Sequence, residues 1–240
     1  MLKVDLHIHT SDDPIDPIPY ATFELIDRAA ELGFDAIAIT LHDLQLDLAP
    51  FRAHAAARGV VLIPGVERAI DGRHVLLLNY SEAANSVNSY DDIARLRERE
   101  RGLVVAPHPF YPAGSALRGC LTRYAELFDA VEYNAMFTRH VNFNAMAERW
   151  ARRHGKPMVG NGDVHRLEML GTTYTLVDAA PDANAICAAI LAGRVEIVAA
   201  PLTMWTAARI MMDLYGTGLL KRRRPNRRSR LARPELDLAG

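Results

Sequence analysis

The sequence predicts an α/β fold whose strands form a closed or nearly closed barrel. Three observations point there. Short apolar runs rich in β-branched residues recur along most of the 240 residues. Segments with helical periodicity separate them, as crossover helices separate parallel strands. Seven or more such units favour a barrel over a small open sheet.

The elements follow in order. MLKVDLHIH reads as a strand. YATFELIDRAAELG reads as an amphipathic helix with Phe23, Ile26 and Ala30 on its apolar face and Gly33 as its stop. FDAIAIT is the second strand, and residues 48–58 look helical as far as Gly59. VVLIPGVE and HVLLLNY are strands. Residues 90–101 form a helix with an acidic start, stopped by Gly102. GLVVAPHPF, FDAVEYNA and KPMVGNGDVH are strands, the last two separated by a helix from about Asn142 to His154 that Gly155 stops. TTYTLVD and RVEIVAA are strand-like and flank a helix at 182–192. The barrel is expected to occupy residues 1–200, followed by an amphipathic helix at 201–217 and a basic tail at 218–240.

Composition is that of an ordinary globular protein, with 50% hydrophobic and 24% charged residues. Barrels of this class run to roughly 200–250 residues as one domain. Cys120 and Cys187 are far apart and match no CxxC pattern, which suggests a reducing compartment. Lys3 and Asp5 interrupt the first apolar run, so no signal peptide is expected, and no window approaches the roughly 18 apolar residues of a membrane span. A cytoplasmic protein is the expectation. Net charge is −1, but residues 218–240 carry eight basic and two acidic side chains, leaving an acidic body with a basic end.

The polar residues of interest fall at strand ends. His7 and His9 end the first strand, His42 and Asp43 the second, and Glu67 the third. His108, then Glu132 and Asn134, then Asp163 and His165, end three more. In a parallel barrel these ends meet on one face, where active sites are built. Imidazole and carboxylate suit divalent zinc, manganese or iron. The His7-x-His9 spacing puts both rings on one side of a strand, and Asp163 and His165 repeat it. So many candidate ligands exceed what one ion uses, and two or three ions bridged by a carboxylate such as Glu67 are expected. Clustered ions suit hydrolysis of phosphate esters, with a metal-bound hydroxide as the nucleophile.

DLHIHT, AITLHD, PGVE, APHP and GDVH, in this order, resemble the motifs of the PHP (polymerase and histidinol phosphatase) family over about residues 1–200. The resemblance implies a distorted (β/α)7, TIM-like barrel and a trinuclear site of phosphoesterase type. It implies that His7 and His9 hold one ion with Glu67 and Asp163. Glu67 would hold a second with His108 and His74. His42 and His165 would hold a third with an aspartate, Asp13 or Asp12 ahead of Asp16. Glu67, Asp163 and His165 are the expected catalytic residues. The chain departs from the family where Leu41 replaces the aspartate of a TDHD-like motif, and where the segment after His9 is rewritten as SDDPIDP.

Other residues divide less sharply. Asp5 reads as a partner of a ligand rather than a ligand. Glu132 and Asn134 either hold a loop or touch substrate. Arg166, Arg118 and Arg139 are candidates for meeting a phosphate group. His54, His140 and His154 read as surface residues. Met204, Trp205, Ala208, Met211, Met212 and Tyr215 give the C-terminal helix an apolar face that docks on the barrel, followed by a solvated basic end; a second reading has that end contacting nucleic acid or anionic lipid. The leading expectation is a metal-dependent phosphoesterase acting on small phosphomonoesters, with nucleotides or oligonucleotides next. The alternative is a metal-stabilised binding or scaffold module with weak or no catalysis.

Overall fold

The computed structural model describes residues 1–221, with side chains as far as Met212. The basic tail past Lys221 therefore lies outside the described residues, and the side chain of Tyr215 outside the described side chains. The chain divides into two compact units, 1–202 and 203–240. The second begins with helix α7 (Met204–Lys221). Among the described residues no helix is long and apolar enough to cross a membrane.

The first unit alternates strands with helices. Strand β1 (Leu2–Ile8) leads to α1 (Thr22–Glu31), β2 (Ala36–Ile39), α2 (Arg52–Ala57) and β3 (Val61–Ile70). Then come β4 (Arg73–Leu78), α3 (Tyr90–Arg99), β5 (Leu103–Ala106) and α4 (Gly119–Arg123). The unit ends with β6 (Ala130–Asn134), α5 (Asn144–His154), β7 (Met158–Asn161), β8 (Thr173–Val177), α6 (Ala183–Leu191) and β9 (Val195–Ala199). The strands form one sheet in the order β7-β6-β5-β4-β3-β2-β1-β8-β9. Past β7 the chain returns to β1: Val164 receives the His9 N–H at 3.1 Å and gives its own N–H to His7 O at 3.1 Å. That pairing brings the two ends of the run β1–β7 together into a nearly closed barrel.

The sheet is mixed, which corrects the expectation of an all-parallel barrel. β1, β2 and β3 pair in parallel, as do β5, β6 and β7, but β4 runs antiparallel between β3 and β5, and β8 is antiparallel to β1 and β9. The cause lies at Asp71-Gly72. Both have positive φ (50° and 71°), as a two-residue hairpin turn needs. The turn folds β4 straight back on β3, which therefore runs on to Ile70 rather than ending at Glu67. Six of the seven strands β1–β7 still point the same way, so their C-terminal ends still share a face.

Helix positions follow from capping and burial. Glu24 reaches back to the Ala21 N–H at 2.7 Å, and α1 buries Thr22, Leu25, Ile26 and Ala29. Phe23, expected inside, is half exposed and packs on Phe51, with ring centroids 4.8 Å apart. The helix expected at 48–58 is a 3-10 turn at Ala49–Phe51 followed by the short α2. Ser89 accepts the Asp92 N–H to start α3. Gly102 does not stop that helix; a Cβ there would sit 2.5 Å from the Tyr80 ring, so the residue must be small. Helix α4 carried no clear sequence signal.

Two apolar clusters hold the unit. One joins Val4, Leu6, Ala36, Ile63 and Leu76 to Ile186 and Ile190 of α6. The other joins Val66, Leu77, Val104 and Val131 to Ile93 of α3 and Trp150 of α5. Each fully buried aliphatic side chain contributes about 1.5–3 kcal/mol. Strands covered on both faces read as continuous apolar runs, so the buried polar residues among them stand out.

Candidate metal centre

Those buried polar residues gather at the C-terminal ends of the strands. Asp5 and His7 of β1 and His9 just past its end are consecutive alternate positions, and all three are fully buried. His42, just past β2, pairs with Glu67 of β3 in an isolated parallel bridge. His74 lies on β4, opposite Ala69. His108 follows β5, Glu132 and Asn134 belong to β6, and Asp163 and His165 follow β7.

Glu67 is the hub. Its Oε1 lies 2.7 Å from His74 Nδ1, 3.2 Å from His108 Nε2 and 3.4 Å from His7 Nε2. Its Oε2 lies 3.2 Å from His42 Nε2 and 3.5 Å from His9 Nε2. One carboxylate thus meets five imidazoles. Burial would raise the Glu67 pKa, but His74 and His7 beside it hold it well below the usual carboxylate range. Asp163 is a second junction. Its Oδ1 is 3.4 Å from His7 Nε2, 3.7 Å from His9 Nε2 and 3.4 Å from His165 Nδ1. Burial opposes ionisation of Asp163 too, and His7 outweighs it, so this group also stays well below the usual range.

The far edges of the rings are held separately. His7 Nδ1 pairs with Glu132 Oε2 at 2.8 Å. Glu132 is itself fully engaged, accepting from His108 N, Asn134 Nδ2 and Asn161 Nδ2. Asp13 Oδ2 lies 2.9 Å from Nδ1 of both His9 and His42, and its Oδ1 accepts the backbone N–H groups of Ile15 and Asp16. Asp13 therefore stands behind the rings, although the family resemblance favoured it as a direct ligand. Asp16, ranked behind it, faces the donor edge: its Oδ2 is 3.6 Å from His165 Nε2. Asp12 turns away to the hydroxyls of Thr10 and Thr22. Asp5 meets no ring. Its carboxylate accepts the N–H groups of His7 and Gly162, and burial pushes its pKa up to about 7.

Backbone shape contributes. Asp43, His108 and Asp163 have φ of 53°, 29° and 47°, in the left-handed region that most residues avoid. Such conformations persist where surrounding contacts over-determine them, and they cluster at functional sites. Asp163 thus reaches the centre from a left-handed turn and not as part of a regular strand. Arg68, fully used by Val87 O, Asp43 O and Asn88 Oδ1, fixes the turn that carries His42. Tyr20 does the same for the 162–165 turn through its bond to Val164 O at 2.8 Å. Neither was evident beforehand; both act through backbone carbonyls, which leave no pattern in sequence. Leu41 is completely buried, and its position carries no polar support for His42; Asp13 supplies it instead.

The other named residues lie elsewhere. His54 pairs with Asp27, His154 stacks on Trp150, and His140 is exposed. Arg139 and Arg118 are exposed, and Arg166 is half-buried beside His165.

The donor set fits divalent metal. His7 Nε2 and His9 Nε2 are buried and have no hydrogen-bond partner, a costly arrangement unless something else meets them. Four triads bring their donor atoms within 4.8 Å of one another: His7-His9-Glu67, His7-His108-Asp163, His42-Glu67-His74 and His9-His42-His165. Neutral imidazole with carboxylate is the chemistry of zinc, manganese and iron sites.

Fold and site together define a mixed β/α barrel with an imidazole–carboxylate centre at its strand ends. The PHP-associated family (PHP_C) matches residues 141–195, which include Asp163 and His165. A 3',5'-nucleoside bisphosphate phosphatase from Chromobacterium violaceum is 40% identical over 79 residues, 32% of this chain. The matched stretch spans about a quarter (26%) of that relative's length. Among solved structures, PsfC from Pseudomonas syringae superposes with a TM-score of 0.60 at 17% identity, covering 91% of this chain and 98% of the other. A protein classed as a metal-dependent phosphoesterase, from Bifidobacterium adolescentis, superposes with a TM-score of 0.53 at 16% identity, covering 68% and 87%. At these identities the structural likenesses speak to the fold. Both sequence matches cover a third of the chain or less.

Proposed function

We infer that this protein hydrolyses phosphate esters, small phosphomonoesters foremost and nucleotides next, at the centre built around Glu67. The observation that carries the reading is the Glu67 carboxylate set among five imidazole nitrogens, two of which, His7 Nε2 and His9 Nε2, are buried without a hydrogen-bond partner. Support comes from the phosphatase that shares 40% identity over 79 residues.

His7 and His9 would hold one divalent ion with Glu67 and Asp163. Glu67 would share a second with His74 and His108. His42 and His165 would hold a third, with Asp16 as the better-placed aspartate, since the oxygens of Asp13 are occupied behind the rings. Bound ions supply positive charge against phosphoryl oxygens and acidify water toward neutral pH. The chain's own residues do the rest. Glu132 and Asp13 accept the Nδ1 protons of His7, His9 and His42, which fixes the tautomer that turns Nε2 inward. Asp163 and Glu67 stay ionised, so either can take a proton only from a much stronger acid than an ordinary carboxyl. Arg166 and Arg118 are the cations proposed to meet the phosphate.

The second reading, a metal-stabilised binding module, rests on Leu41, which is apolar and buried where the family motif has an aspartate. Hydrolysis of p-nitrophenyl phosphate and of its bis ester separates the two. Protein is stripped of metal and resupplied with manganese or zinc, with His9→Ala alongside. Metal-dependent turnover that His9→Ala loses supports the esterase and ranks monoester against diester. Folded, metal-binding protein without turnover supports the binding module.

A further inference from the structure

We propose that the groove between the β5–α4 loop and the start of α5 is a subsite for the leaving group of the substrate, and that it takes the planar base of a nucleoside phosphate. The proposal rests on the phosphate-ester reading above and deepens it.

The groove has a volume of about 410 Å³, at the lower end of the range for small-ligand sites. Phe110, Pro112, Phe143 and Met146 line it, with Thr122 and Arg118 as its polar members. Phe110 and Phe143 are half-buried, Phe110 packing in part on the apolar core, and each leaves part of its surface to the groove. Met146 is 45% exposed on α5, and Phe143 is half-buried, its ring 5.4 Å from that of Tyr111. Rings presented in this way accept a flat heterocycle of any sequence or substituent pattern. An aliphatic leaving group gains much less from them.

Arg118 adds the charge. It adopts φ 49°, ψ −118°, a conformation that a side chain disfavours. The Arg118 N–H donates to Pro109 O at 2.8 Å, which holds the loop in that shape. The one hydrogen bond of its guanidinium among the described residues is long, Nη2 to Tyr111 O at 3.4 Å. A strained backbone thus holds an exposed cation at the rim of an apolar groove. Pro109 directly follows His108, so the rim is tied to the centre by adjacent residues of one loop. His74, too, is bonded to this loop, its N–H donating to Ser115 O at 2.9 Å. A nucleoside phosphate fits the combination: its base lies on Phe110 and Phe143, and its phosphate meets Arg118.

The test has two arms. In the first, adenosine monophosphate, adenosine and glycerol 2-phosphate are titrated into metal-stripped full-length protein and followed by saturation-transfer NMR of the ligand. Phe143→Leu keeps apolar volume and removes the ring; Met146→Glu alters an exposed position, so both variants are expected to fold. Saturation of the base protons is the expected result, with adenosine monophosphate binding weakened about tenfold in Phe143→Leu, the size of one lost base–aromatic stack, and weakened also in Met146→Glu. Arg118→Ala should weaken adenosine monophosphate more than adenosine. Equal binding in all variants, or no preference over glycerol 2-phosphate, overturns the proposal. In the second arm, the ratio of kcat/KM for adenosine monophosphate over glycerol 2-phosphate is compared in metal-loaded protein; it should fall in Phe143→Leu and Met146→Glu and stay level in Arg118→Ala, whose cation meets the phosphate of both esters. Base binding that the variants weaken, without turnover of either ester, would sink the esterase reading and leave the groove standing. Turnover of both esters with a ratio unchanged in Phe143→Leu and Met146→Glu would do the reverse.

Discussion

Asp13 holds His42 twice: its Oδ2 lies 2.9 Å from the ring Nδ1 and 3.0 Å from the backbone nitrogen. The same oxygen meets His9 Nδ1 at 2.9 Å. One carboxylate therefore orients two imidazoles that come from different strands. Asp13→Asn keeps the size but offers an amide where two ring N–H groups need acceptors. Partners of this kind are worth about 10–100-fold in metal affinity. Competition with a chromophoric chelator should show a loss of that size. Asp16→Asn should instead lower the number of ions bound, read by elemental analysis after dialysis. If Asp13→Asn removes one equivalent and Asp16→Asn none, the roles given to the two aspartates are reversed.

Gly162 and Asp5 are a second such pair. A Cβ on Gly162 would lie 2.4 Å from Val164 Cγ2 and 2.7 Å from Asp5 Oδ2. Neither neighbour can retreat, because Asp5 is fully buried and Val164 is paired with β1. Gly162→Ala should therefore move the turn that carries Asp163 and His165. Overpacking of this kind costs about 1–3 kcal/mol. A drop in melting temperature together with reduced metal content is expected; an unchanged metal content would show that the turn adapts.

The hairpin at Asp71-Gly72 sets where His74 stands. Gly72 has φ 71° and open space around it, so an alanine there meets strain and no clash. The cost is about 1–2 kcal/mol. For a chain of this length that lowers the melting temperature by about 2–4 °C per kcal/mol. Metal content should stay at the wild-type level in Gly72→Ala once folded, since the register opposite Glu67 is fixed by six residue pairs. A loss of metal without a loss of stability would contradict this.

The sequence announced the barrel and the gathering of ligands because both follow from local patterns. Apolar strands with a histidine or carboxylate at the end are visible one at a time, and the parallel rule brings them together. Reversal of β4 escaped because the strand-end reading stopped β3 at Glu67, although Asp71-Gly72 is a strong hairpin signal. The order of the aspartates was not legible for a different reason. Asp12, Asp13 and Asp16 share one short loop, and only the turn geometry decides that Asp13 faces Nδ1 and Asp16 faces Nε2. Phe23 and Gly102 show the same limit from the packing side: their neighbours, Phe51 and Tyr80, are distant in sequence.

Protonation links the centre to stability, with a sign that metal reverses. Burial opposes the charging of His42, but Asp13 and Glu67 outweigh it and raise its pKa to about 9, against 6.5 when unfolded. His7, His108 and His165 also shift up, against burial, through Asp163, Glu67 and Asp16 respectively, while burial lowers His9. A raised folded pKa stabilises fully below the unfolded value and is lost as pH rises through the folded one. Metal-stripped protein should therefore lose stability between about pH 6.5 and 9. The depressed carboxylates, Glu67, Asp163 and Asp13, act at the other end: their contribution is present above about pH 4 and is lost on acidification. Metal-stripped protein should thus be most stable between those limits. Ligation needs neutral imidazoles, so metal uptake must expel protons, and affinity should rise with pH across the window in which apo stability falls. Thermal unfolding at pH 6, 7.5 and 9, with and without zinc, reads both trends. Calorimetry in buffers of different ionisation enthalpy counts the protons released. A melting temperature of stripped protein that rises toward pH 9, or metal uptake without proton release, would show that the imidazoles are already neutral and that the carboxylates do not hold them charged.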